Sequence, residues 1–312
     1  MKILVTGGSG QLGRSIQKSV TKLNDSKETY FFVNSKNADL TESNQVHDLL
    51  STIKPDLIIH TAAKVGGILE NLKNSDTILQ SNLQIDLNLF KSAIKLGISK
   101  ILLIGSSCVY PVDSRRPLLE HSLFEGKVEE TNRSYALSKL VNLDLALNLN
   151  KKFDTNFKTI ILSNLYGPFD SYSSSRSHIV AAAFNKIAVA KSKNLDKVKI
   201  LGDGTPKREF TYSIDVSDWI VENISRITDF PQVMNLSSGM EYTIADYYLM
   251  VAKSLNYSGS FEFDLEIPNG VMSKLMDSTF ARDNFDWYPK TDFETGIRFI
   301  SQLDLRSLGI DV

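Results

Sequence analysis

The stretch Lys2-Ile3-Leu4-Val5-Thr6-Gly7-Gly8-Ser9-Gly10-Gln11-Leu12-Gly13 decides the fold. Residues 3–5 are an unbroken apolar run of buried-strand length, and the glycines after them mark a tight turn before an amphipathic helix over 11–23. Glycine lets the backbone approach a pyrophosphate, whose charge is favoured by the free N–H groups of a helix N-terminus. Gly7, Gly8, Ser9, Gly10, Gln11, Leu12 and Gly13 are therefore the expected dinucleotide cradle.

Outward from that turn the pattern repeats. Short apolar runs at 30–34, 57–60, 100–104 and 159–162 read as strands, and helical periodicity covers 46–53, 75–96 and 134–149. Such alternation predicts an α/β protein with a Rossmann-type doubly wound parallel sheet. Past Tyr166 the pattern loosens. Gly167-Pro168 and 171–177 read as loop, 179–190 as a helix, and Gly202-Asp203-Gly204 as a turn. The expected division is a cofactor domain at 1–166, with 212–236 partly returning to it, and a smaller C-terminal substrate-binding lobe at 167–312.

The predicted helix over 75–96 carries two apolar stripes, Ile78, Ile85, Leu89, Leu96 and Leu79, Leu83, Phe90, Ile94. A helix covering a sheet needs one stripe. The second serves either deep burial within the chain or a partner subunit.

The 312 residues hold 35 Lys+Arg against 36 Asp+Glu, a net charge of −1, which argues against nucleic acid or an anionic membrane as the main partner. The single cysteine, Cys108, rules out an intrachain disulfide. The four histidines are widely separated, so no metal is expected. The N-terminal apolar run is too short for a signal peptide, and no stretch reaches the ~18 apolar residues of a membrane span. These features predict a reducing, cytoplasmic setting.

Chemistry is carried by four further places. The second strand ends Asn34-Ser35-Lys36 where NAD-selective folds place an acid; a lysine there suits a 2′-phosphate, unless it is simply a solvated side chain. Asp39 and Leu40, slightly farther on, are expected beside the adenine. Tyr135 and Lys139 stand four apart on one helical face, so the ammonium can stabilise a phenolate that relays a proton. Ser106 ends an apolar strand, the edge where open α/β sheets carry reactive groups.

The segments Gly105-Ser106-Ser107-Cys108-Val109-Tyr110-Pro111, Tyr135-Ala136-Leu137-Ser138-Lys139 and Asn164-Leu165-Tyr166-Gly167-Pro168 resemble the GDP-L-fucose synthases of the extended short-chain dehydrogenase/reductase family. So do Ala62-Ala63-Lys64-Val65-Gly66-Gly67, Ser177-His178 and Gly204-Thr205-Pro206-Lys207-Arg208-Glu209-Phe210. The similarity covers residues 3 to about 220. It implies an NADP(H)-dependent 3,5-epimerase/4-reductase acting on a GDP-linked 4-keto sugar, and helices that pair across a two-fold axis in a homodimer.

The resemblance also implies roles. Ser106, Tyr135 and Lys139 reduce the ketone; Cys108 is the epimerisation base and His178 the acid. Alone, Cys108 would read as a buried small hydrophobe and His178 as a loop histidine. Ala62, Ala63, Ile104, Gly105, Lys139, Asn164, Leu165 and His178 join the cofactor set, and Ser107, Asn164, Lys186, Leu201, Arg208 and Asp277 the substrate set. Leu201 replaces a tryptophan common in the family, and the segment 268–277 lacks a usual arginine. Both departures fall where nucleotide and sugar would be gripped. The rivals are a reductase without epimerase activity, an NAD-retaining 4-epimerase, and a dinucleotide sensor without catalysis.

Overall fold

The computed structural model describes residues 1–23, 27–66, 73–172, 177–266 and 270–310. Its first half runs β1 (Lys2–Thr6), α1 (Gln11–Thr21), β2 (Thr29–Val33), α2 (Ser43–Ile53), β3 (Leu57–His60), α3 (Ser75–Lys95), β4 (Lys100–Ser106), α4 (Arg133–Phe153) and β5 (Asn156–Leu162). Next come β6 (Asn164–Tyr166), α5 (Ile179–Ser192), β7 (Lys197–Leu201), β8 (Lys207–Tyr212), α6 (Ser213–Asn223) and β9 (Val233–Leu236). The chain ends with β10 (Glu241–Thr243), α7 (Ile244–Ser254), β11 (Ser260–Asp264), α8 (Thr279–Phe285) and α9 (Phe293–Ser301).

Six strands form one parallel sheet in the order β2-β1-β3-β4-β5-β9. Side chains alternate between its faces. Ile3, Val5, Leu57 and Ile59 join one core with α1 and α6, while Leu4, Ile58, Ile101 and Leu103 join another with α2 and α3. Both faces are covered, which is why the strands read as continuous apolar runs. Small residues let α1 and α6 approach closely: Ser15 Oγ bonds Ser213 Oγ at 2.9 Å and Ser19 Oγ lies 2.8 Å from Ser217 Oγ. Strand order reverses between β1 and β3, which opens a crevice at their C-terminal ends.

The chain leaves this sheet at Leu162 and rejoins it at Val233. Meanwhile β6 pairs with β8, and β8 with β10, in a separate three-stranded sheet. Its core is aromatic: Tyr247 packs against Phe210 and Phe293 with ring centroids 4.9 and 4.5 Å apart. Among the described residues no helix is long and apolar enough to cross a membrane.

Deep burial within the chain accounts for half of the second stripe of α3. Phe90, assigned to the second stripe, is buried and stacks on Phe157 at 5.5 Å, and Ile94 packs against the same core as Leu89. The inward face of α3 is thus broader than a single stripe, and Leu79 and Leu83 are only half-buried. Leu140 and Leu143 of α4 are likewise core residues. The large apolar side chains these two helices leave in solvent are Leu87, 37% exposed, Val141, 47% exposed, and Phe153 at the end of α4, 44% exposed.

Candidate active site

The glycine turn sits at the β1/β3 crevice. Gly7 has φ +71°, and a Cβ there would lie 2.7 Å from Ala62 N, so the turn and the Ala62-Ala63 segment touch through backbone alone. Gly10 caps α1 without a side-chain bond, leaving the helix's first N–H groups free for an anion. Gln11 Nε2 is buried with no hydrogen-bond partner among the described residues. A free helix N-terminus, an orphaned amide donor and a turn without side chains fit a dinucleotide. Leu12 and Leu40 point into the core, so their side chains are packing groups. Ile104 and Leu165 are half-buried against the same cores, and Gly105 continues β4.

At the end of β2, Asn34 Oδ1 accepts from Lys36 N and Asn37 Oδ1 from Asn34 N, a turn that leaves Ser35 and Lys36 exposed. Asp39 accepts from Thr41 Oγ1 and N, which holds its carboxyl below the usual range. These bonds close a turn ahead of α2, whose N-cap is Glu42. Asn82 of α3 accepts from Lys64 N and donates to Ser138 Oγ, tying the segment after β3 to α4; Gly67 lies outside the described residues.

Four reactive side chains meet at the C-terminal end of β4. Ser106 ends the strand, and its Oγ accepts from Cys108 N at 3.5 Å. The turn Ser107–Val109 packs against α4, with Ser107 and Cys108 buried. On α4, Lys139 Nζ lies 5.8 Å from the Tyr135 ring centroid. Burial pushes the Tyr135 phenol well above its usual range, helped by the nearby Cys108 and Asp86 charges. Burial pulls Lys139 down, opposed by Asp86 and Cys108. The Cys108 thiol is raised by burial, while Ser106, Lys274 and Lys139 pull it the other way. A buried phenol held in its protonated form can donate a proton to a carbonyl oxygen.

The predicted substrate residues fall into two groups. Arg208 Nη1 donates to Lys207 O and Val271 O and faces Glu129, whose carboxylate pairs with Lys274. Asn164 Nδ2 reaches Glu209 O at 3.3 Å, and Asp277 Oδ1 accepts from Thr279 N. Lys186 belongs to α5 and Leu201 to β7. Lys186 Nζ donates to Lys199 O and lines a cavity of about 570 Å³ with Asn185, Lys193, Lys197 and Lys199. Leu201, 49% exposed, ends the strand β7 that holds Lys197 and Lys199. None of Ser106, Cys108, Tyr135 or His178 lines that cavity.

His178 caps α5 through its backbone, and Asp170 lies within electrostatic reach of it. Burial raises Asp170 to about 6, and its Oδ2 has no partner among the described residues. Residues 173–176, Pro268 and Asn269 lie outside the described residues.

Sequence reasoning missed Glu129, Lys274, Asp170, His60 and Asp86. Asp170 follows Gly167-Pro168-Phe169 directly and could have been flagged by that position. Glu129 and Lys274 are 145 residues apart, and no local pattern links them.

Comparison with known proteins agrees with this geometry. The NAD dependent epimerase/dehydratase family model matches residues 3–237. The GDP-L-colitose synthase of Yersinia pseudotuberculosis is 39% identical over 300 residues, covering 95% of this chain and 96% of that protein. The GDP-L-fucose synthase of Azorhizobium caulinodans is 34% identical over 297 residues, covering 95% and 94%. A GDP-6-OMe-4-keto-L-xylo-heptose reductase from C. jejuni superposes with a TM-score of 0.88 at 23% identity, covering 96% of both chains. This chain is an oxidoreductase that works with a nicotinamide dinucleotide, and it belongs to the NAD dependent epimerase/dehydratase family.

Proposed function

We propose that the enzyme uses NADPH to reduce the C-4 ketone of a GDP-linked 4-keto sugar, after epimerising C-3 and C-5. GDP-4-keto-6-deoxy-D-mannose is the substrate and GDP-L-fucose the product. The carrying observation is the meeting of Ser106, Cys108, Tyr135 and Lys139 at one strand end. The two relatives named as GDP-sugar synthases support the nucleotide.

In this reading residues 1–166, with 212–236 returning, hold the cofactor, and 167–312 hold the sugar nucleotide. The glycine turn, Ala62, Ala63 and Asn34 to Leu40 line the cofactor, and Lys36 meets the 2′-phosphate, where a cation strengthens each hydrogen bond. NADPH supplies the hydride. The ketone makes the protons at C-3 and C-5 acidic. Cys108 removes them, His178 returns protons from the opposite face, and Ser106 and Tyr135 hold the enolate oxygen. Tyr135 then donates its proton to O-4 as the ketone is reduced, with the Lys139 charge stabilising the phenolate left behind. Arg208 and Lys186 receive the diphosphate; Ser107, Asn164, Leu201 and Asp277 face the rest of the substrate. Two copies associate through α3 and α4.

A second reading, reduction without epimerisation, is favoured by the burial of Cys108, because only the thiolate is a competent base. Incubation with NADPH and a panel of GDP- and dTDP-linked 4-keto sugars, with product stereochemistry read by NMR, decides between them. Inverted C-3 and C-5 support the first reading. Reduction with both centres retained supports the second, and no NADPH oxidation with any sugar defeats both.

A further inference from the structure

A buried line of polar groups runs under the ends of β1 and β3 toward α4. Thr6 Oγ1 lies 2.8 Å from His60 Nδ1, and His60 Nε2 lies 3.0 Å from Asp86 Oδ1. All three residues are buried. The second carboxylate oxygen, Asp86 Oδ2, has no hydrogen-bond partner among the described residues. Buried acceptors left in that state are rare, because desolvation is then uncompensated.

The seam between α3 and α4 holds its complement. Both helices return antiparallel to parallel strands, so they run parallel to each other. Asn82 of α3 bonds Ser138 of α4 at 3.3 Å. One turn farther on each helix stand Asp86 and Asn142, the next pair along the same seam. Asn142 Nδ2 is also buried without a partner among the described residues. An acceptor lacking a donor and a donor lacking an acceptor thus occupy one level. Lys139, next to Ser138, is buried and makes no direct ion pair among the described residues.

We infer that Asp86 is the buried counter-ion of the Lys139 ammonium and reaches it through one internal water that also takes the free donor of Asn142. The water accepts from Lys139 Nζ and Asn142 Nδ2 and donates to Asp86 Oδ2, three bonds typical of a buried water. Thr6 and His60 fix the carboxylate's position from behind. The charged and titratable groups facing Lys139 are Asp86 from α3, Cys108 from the turn after β4, and Tyr135 from α4 itself, with His60 behind Asp86. Burial alone drives a lysine toward its neutral form, and Asp86 leads the opposition. Asp86 is a positioning residue, acting on the substrate only through Lys139. The inference rests on the reading of Ser106, Tyr135 and Lys139 as the ketone-reducing set.

The test is the pH profile of NADPH-dependent reduction in Asp86→Asn. Reduction needs Lys139 charged and Tyr135 protonated, and the Asp86 charge raises the pKa of both. Removing it should move the alkaline limb down by about one pH unit. A slower or less stable enzyme with the limb unmoved overturns the counter-ion, since a packing role leaves titrations alone. Should Lys139→Met reduce the ketone at the wild-type rate, the catalytic set itself fails, a result separate from any obtained with Asp86. If Asp86→Asn does not fold, the wild-type protein carrying 15Nζ-lysine decides. The Lys139 resonance, identified by its loss in Lys139→Arg, should remain that of an ammonium at pH 8; a neutral amine there overturns the proposal.

Discussion

Lys274 Nζ lies 2.5 Å from Glu129 Oε2, joining the strand-free segment after β11 to the approach to α4. Glu129 Oε1 also accepts from Val271 N, and Asn132 Nδ2 donates to Oε2. The pair therefore clasps the C-terminal segment against the helix that carries Tyr135. It also places opposite charges within reach of Cys108, Lys274 favouring the thiolate and Glu129 opposing it.

This clasp gives a pH-dependent stability. Burial works to raise the Glu129 carboxyl, but Lys274, Val271 N and Arg208 hold it at about 2 against an ordinary 4.5. A depressed folded-state pKa contributes stability that is complete above pH 4.5 and lost as pH falls toward 2. Glu129→Gln should cost about 3 kcal/mol at pH 7, with the gap to wild type closing progressively below pH 4.5. Urea melts at pH 7 and pH 3 check this; an equal loss at both values would mean a packing defect.

Cys108→Ser should nearly abolish solvent deuterium uptake at C-3 and C-5, because a serine hydroxyl is a far weaker base than a thiolate. The mutant should still reduce the unepimerised ketone slowly. Tyr135→Phe should do the opposite, losing most reduction while exchange slows less. Mass spectrometry alongside NADPH absorbance separates the half-reactions. Wild-type exchange in Cys108→Ser would leave Cys108 as a packed thiol and favour the reductase-only reading.

Lys36 is exposed in a turn whose asparagines are engaged with backbone. Lys36→Ala should raise the Kd for NADPH by about tenfold and leave NADH almost unchanged, the loss of one charge-assisted bond to a 2′-phosphate. Isothermal titration with both cofactors measures it. Equal weakening of the two would remove Lys36 from cofactor choice.

A two-fold pairing of α3 and α4 should give a particle of about 70 kDa at micromolar concentration, twice the 34.9 kDa chain. The exposed apolar side chains available to bury on these helices are Leu87, Val141 and Phe153. Val141→Asp together with Leu87→Asp should shift sedimentation to the monomer without unfolding the protein. A wild-type monomer, or an unaffected double mutant, would place the interface elsewhere or nowhere.

Tyr135 and Lys139 are legible in the sequence because the helical repeat alone puts them on one face. The glycine turn is legible because its strand and helix are its immediate neighbours. Phe90 shows where local pattern stops: periodicity sets it on a second stripe open to burial or to a partner, and its stacking on Phe157, 67 residues away, decides for burial. Motif position puts Leu12 and Leu40 at the cofactor, while packing turns their side chains inward.

The sequence by itself determined the order of strands and helices from β1 to β5, the glycine turn, and the shared helical face of Tyr135 and Lys139. These are written in local spacing, where backbone geometry and a 3.6-residue period leave few choices. Tertiary structure alone decided which polar groups from distant segments face each other: Lys274 with Glu129, His60 with Asp86, and Asp170 with His178. Such pairings depend on which distant segments the sheet brings together. The hydrogen-bond partner of a buried carboxylate leaves no trace in the residues beside it.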